Sequence, residues 1–159
     1  MQLCDIYLGL GEATFRDLLK QISLGKLRTY QLFERMKFRL RVAKLNGESL
    51  MKSAPRQWAR LAEERDGDLA MDLAQAILVC HVDSLIVPVL DFLGVPHKEG
   101  FFEKDADISA HLTAGWQQRV WDRFAAEMPK SVLVFYLNHL AMEMSEGAAL
   151  FVPAGQEGQ

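Results

Sequence analysis

The chain has 159 residues, half of them hydrophobic and a quarter charged, with a formal net charge of −3. That length predicts a single domain able to bury a core without staples, and the composition excludes a disordered or collagen-like chain. The only cysteines, Cys4 and Cys80, are far apart and give no disulfide framework.

Residues 1–12 show no clear hydrophobic period and include Gly9 and Gly11, so no element is expected there. No signal peptide is expected either, because MQLCDIYLGLGEATF lacks a basic leader and its apolar stretch is broken by Asp5 and the glycines. A cytoplasmic location follows from that reading and from the absence of a disulfide framework. The ordered core is expected over about 13–145, with 146–159 as a tail.

Thr14, with Asp17 three residues on, predicts a helix start. Phe15, Leu18, Leu19 and Ile22 fall on one face at i, i+3, i+4 and i+7, and Gly25 supplies a stop. A second helix is expected over 29–45. It has two opposed apolar arcs, Leu32, Phe33, Met36, Leu40 and Ala43 against Phe38, Val42 and Leu45. Basic stripes run between those arcs. Pro55 reads as the first turn of a third helix, whose core contacts are Trp58, Leu61 and Ala62.

The longest apolar-rich run, Asp68–Gly94, predicts a buried central helix near 69–93 capped by Asp68. An acid stripe of Asp68, Asp72, Gln75 and Asp83 lies opposite Ala70, Ala74, Ile77, His81, Leu85 and Phe92. Pro88 removes a backbone donor and should kink or split this helix near Ser84. A membrane span is not expected, since each buried Asp of the best window would cost roughly 2.5–3.5 kcal/mol.

Residues 97–106 read as a polar connection carrying the pair Phe101-Phe102. Asp107 is expected to cap a helix reaching about Met128, and Pro129 to open a last helix from Lys130 to about Met144 that is apolar nearly all round. Leu150-Phe151-Val152 reads as an extended segment that docks. The sum is an all-α domain, an orthogonal or up-down bundle of five to six helices.

Charge is divided unevenly. Residues 1–65 carry 13 Lys and Arg against 7 Asp and Glu, whereas residues 66–159 carry 5 against 14. Two readings follow. In one, the basic helix 29–45 binds nucleic acid through Arg35, Lys37, Arg39, Arg41 and Lys44. In the other, basic and acidic halves face each other within the molecule or across a dimer, in keeping with an overall charge that repels polyanions.

Chemistry-bearing residues are sparse. His81 sits on the apolar side of the central helix, where a hydrogen-bonded core histidine is the plain alternative to a ligand. Tyr136, His139 and Glu143 share one stripe of the last helix, but a zinc or di-iron site needs a further ligand-bearing helix. No metal site, cofactor or catalytic residue is expected from the spacings, and no nucleophile or phosphate-loop motif occurs. The surplus of apolar surface points to a non-enzymatic adaptor or regulatory partner, either self-associating or bound to another protein. The alternatives are the nucleic-acid reading and a ligand-binding or enzymatic bundle with a pocket near His81 or His139.

Overall fold

A computed structural model of the chain describes residues 1–29, 35–36 and 46–154. Those residues are all-α, with eight α-helices, one π-turn, one 3-10 turn and a single two-stranded hairpin. They divide into two compact units, Gln2–Cys80 and His81–Gln159. Among the described residues, no single helix is long and apolar enough to cross a membrane.

The first unit begins with a helix the sequence did not signal. α1 spans Leu3–Leu10 and buries Leu3, Cys4, Ile6 and Tyr7. Its start is fixed by the Asp5 carboxylate, which accepts from the Gln2 N–H at 2.7 Å. Its end is fixed by Gly11 at φ +89°, a left-handed value that favours glycine. Tyr7 is wholly buried, and its hydroxyl donates to the Ala70 carbonyl at 3.2 Å. Burial pushes that phenol well above its ordinary range.

α2 (Glu12–Lys20) starts two residues before Thr14, and Asp17 bonds Lys20 instead of capping. The expected face is buried, including Ile22 just past the helix. Gly25 does not stop a helix. It lies inside α3 (Leu24–Thr29), which the Ser23 hydroxyl opens by accepting from the Lys26 N–H.

The predicted helix 29–45 lies outside the described residues except for Thr29, Arg35 and Met36. α4 spans Gly47–Ala62, capped by Asn46, whose side chain accepts from the Ser49 N–H at 2.9 Å. Pro55 therefore sits mid-helix and not in the first turn. Leu61 is buried as expected, Trp58 is half-buried against Phe15, and Ala62 is exposed.

The central run is two helices. α5 (Gly67–Val79) is capped by Asp66 and not by Asp68: the Asp66 carboxylate accepts from the Leu69 N–H at 2.9 Å. The helix ends at Cys80, a few residues before the expected break at Ser84. A π-turn follows over Val82–Ile86, then α6 over Val87–Leu93. In the π-turn the Ile86 and Val87 N–H groups reach back five residues, to the His81 and Val82 carbonyls. The wider turn answers Pro88, which has no N–H and whose ring would press on the carbonyl four residues back in a continuous α-helix.

The remaining elements belong to the second unit. β1 (His97–Lys98) and β2 (Phe101–Phe102) pair antiparallel, with His97 opposite Phe102 and Lys98 opposite Phe101. Asp107 caps only the 3-10 turn Ser109–His111, accepting from Ser109 Oγ and the Ala110 N–H. Gly115, at φ +74°, separates that turn from α7 (Trp116–Phe124). The helix expected from 107 to 128 is thus broken at its glycine. α8 spans Lys130–Met144, and seven consecutive residues from Val132 to Asn138 are buried.

Asn138 is the one fully buried polar side chain among the described residues of this unit. Its amide donates to the Val134 and Phe151 carbonyls, each at 2.9 Å, and accepts from the Phe151 N–H at 2.7 Å. It therefore reads the backbone of Phe151 as a neighbouring strand would, and ties the extended segment after α8 back onto the helix.

Candidate binding site

The hairpin 97–102 is short but held at several points. Its two-residue loop, Glu99-Gly100, has φ +52° and φ +86°, the two positive values of a type I′ turn. Glycine is required at position 100 for a second reason. A Cβ there would lie 3.0 Å from Val82 Cγ1 and 3.4 Å from Ile86 Cγ2, so the loop rests directly on the π-turn. Glu99 adopts a left-handed backbone that ordinarily costs a non-glycine residue roughly 1–2 kcal/mol.

His97 braces the same loop. Its Nδ1 accepts from the Gly100 N–H at 3.1 Å, which puts the ring proton on Nε2, 2.8 Å from an Asp91 carboxylate oxygen at the end of α6. Glycine packing, a ring nitrogen and a carboxylate acceptor thus fix a six-residue element that has almost no core of its own.

What this element presents is Phe101, 71% exposed, the most exposed large apolar side chain among the described residues. Phe92 on α6 is also exposed, at 46%, with its ring edge-on to Phe124 at 5.6 Å between centroids. The sequence placed Phe92 on the buried side of the central helix. The π-turn shifts the phase of α6, and that placement fails. Single exposed apolar residues are common on soluble proteins. A phenyl ring carried on a braced hairpin is less ordinary, because the backbone that presents it is already fixed before any partner arrives.

A shallow groove of about 320 Å³ lies elsewhere in the second unit, between the start of α7 and the end of α8. Leu112, Trp116, Met144 and three alanines (Ala141, Ala148 and Ala149) line it together with Ser109, Gln117 and Ser145, and no titratable side chain does. The Gln117 amide beside it donates to the Leu137 carbonyl at 3.3 Å.

The residues singled out in the sequence do not converge on that groove. His81 precedes the π-turn, and its Nε2 is buried with no hydrogen-bond partner; burial holds its pKa below the ordinary value. Tyr136 is buried in the face of α8, which raises its phenol. His139 lies 3.7 Å from Glu143, and its pKa is lowered by burial, an effect the Glu143 charge opposes. Among the described residues, no three His, Cys, Asp or Glu side chains group to hold a metal ion.

Of the proposed nucleic-acid contacts, Lys37, Arg39, Arg41 and Lys44 lie outside the described residues. Arg35 is engaged by acids of α5, with Nε 2.8 Å from Asp72 and a terminal nitrogen 3.6 Å from Asp68. Arg35 is thus one of two basic side chains of residues 1–65 that pair with acids beyond residue 65 among the described residues, Arg60 being the other. The buried base of the network was not legible at all. Arg60 donates to the Arg35 carbonyl and to Gln57, and pairs with Asp66. Gln57 and Arg56 donate to the Met36 carbonyl at 2.9 and 3.1 Å. Arg60 lies on the buried face of α4, and only that phase could have hinted at it.

No known protein family, curated protein or solved structure matches this chain.

Proposed function

We propose that this chain is a non-enzymatic binding protein that acts through protein–protein contacts, with Phe101 as its anchor. The observation behind this reading is a 71% exposed phenylalanine on a hairpin braced by Gly100, His97 and Asp91. An aromatic on a fixed backbone orders little chain on binding, and aromatic anchors are prominent in interface energetics. Two further observations agree. The groove is lined by no acid or histidine that could activate its two serines, Ser109 and Ser145. The titratable groups of α8 are buried or paired along one helix rather than gathered at a cleft. Free cysteines at positions 4 and 80 suit a reducing, cytoplasmic setting.

The test is site-specific cross-linking in cells. A photoreactive phenylalanine analogue at position 101 should give discrete protein adducts that the same analogue at exposed Met71 does not. Adduct patterns identical at the two positions would refute the reading.

A further inference from the structure

We infer that His97 is a proton-sensitive latch: while neutral it holds the turn that presents Phe101, and on protonation it releases that turn. Its regulatory meaning rests on the proposed role of Phe101 as an anchor, whereas the latch itself is a property of the loop. A neutral imidazole has one nitrogen that accepts and one that donates, and both are engaged here. Nδ1 takes the Gly100 N–H at 3.1 Å, and Nε2 gives its proton to Asp91 at 2.8 Å. An added proton has only Nδ1 to occupy. There it faces the Gly100 N–H, donor against donor, so the bond is lost and the ring or the loop shifts. The Asp91 carboxylate acts on the other side, since it still accepts from Nε2 and balances the new charge. Protonation therefore keeps one half of the brace and cancels the other.

The surroundings leave the Gly100 N–H no substitute. Among the described residues His97 Nδ1 is its only acceptor, and the His97 side chain is only 11% exposed. Asp91, on α6, is the only ion-pair partner of the ring among those residues. The π-turn meets the loop through the apolar side chains of Val82, Ile86 and Val87, while its Asp83 is exposed. The 3-10 turn brings His111 up to Gly94, and Lys98 and Glu99 of the hairpin itself are exposed. The turn can ill spare the bond, because Glu99 at φ +52° carries a backbone penalty of the same order as one hydrogen bond.

Nuclear magnetic resonance on the isotope-labelled intact chain is the deciding measurement, followed from about pH 8 to about pH 5, where histidine side chains change charge. The Gly100 amide proton should move upfield in step with the His97 ring signals, as an amide does when it loses an acceptor. Its protection against exchange, corrected for the intrinsic rate at each pH, should fall at least about threefold. His97→Gln has no titrating ring and should leave the Gly100 amide flat over the same range. Should that variant disturb the hairpin, His111→Gln serves as the second comparison, and there the Gly100 transition should persist unchanged. A Gly100 amide that stays fixed while the His97 ring protonates, one that still titrates in His97→Gln, or one whose transition vanishes in His111→Gln would each overturn the latch. None of these touches the anchoring role of Phe101, which stands on the cross-linking result. Conversely, identical adducts at positions 101 and 71 would remove the anchor while the Gly100 transition still showed the latch.

Discussion

The two compact units solve the problem of buried polarity in opposite ways. Residues 2–80 place ionised and strongly polar groups inside: Arg60 against Asp66 and the Arg35 carbonyl, with Gln57 on the Met36 carbonyl. Residues 81–159 bury a single neutral amide, Asn138, and keep their many acids outside. The first unit uses charge to fix its own chain, whereas the second leaves its surface acidic and presents aromatic rings at it. Buried ion networks specify geometry but depend on every member, because a lost partner strands a charge. A lone amide is a smaller liability and a more local one.

That contrast can be broken from its strong end first. Arg60→Leu strands the Asp66 carboxylate near the start of α5 and should cost about 3–5 kcal/mol in urea denaturation. Asn138→Leu should cost about 1–3 kcal/mol, since the backbone of Phe151 loses its partner. It should also open the segment after α8 to limited proteolysis, which Arg60→Leu should do only through global unfolding. Gly100→Ala forces a side chain into φ +86° and against Val82. A cost of about 1–2 kcal/mol is expected, with chemical-shift changes confined to the hairpin and the π-turn.

A weaker effect comes from pH. His139 has its folded-state pKa lowered by burial, below an unfolded value of about 6.5. Between those two values the unfolded chain binds more protons, so stability rises with pH there. It is complete above about pH 6.5 and is lost as the pH falls toward the depressed folded value. His139→Leu should flatten this part of the stability curve, measured as denaturation midpoint against pH. The smallest change in stability is expected for Phe101→Ser, within about 0.5 kcal/mol, because the ring touches little of its own chain. A large loss there would mark Phe101 as structural and remove the reason for calling it an anchor.

The parts of this fold that were legible are those where punctuation and period agree. Pro129 followed by an unbroken apolar run gave α8 its start and end, and Gly94 gave α6 its stop. The Phe15, Leu18, Leu19 and Ile22 face was equally plain. Where the two signals conflicted, the reading failed. α1 is apolar on too many sides to show a period, and Pro55 looked like a helix start while Asn46 was the real one. The hairpin was missed because its strands are two residues long and its loop is Glu-Gly, a weaker signal than Asn-Gly. Arg60 and Asn138 were invisible for another reason: each has a partner in backbone distant in sequence, the Arg35 carbonyl and Phe151, which no local pattern reports.

The π-turn at Val82–Ile86 has a consequence for sequence editing. It amounts to one residue more than an α-helix would use over the same stretch. Deleting any one of its five residues would remove that spare residue and turn everything after it by about 100° relative to His81. Asp91 and His97 both follow the turn and would move together, but Gly100 would lose its seat against Val82 and Ile86. Spacing here is thus under a tighter constraint than side-chain identity: a change of residue at Ser84 alters a surface, while a change of length re-aims Phe101.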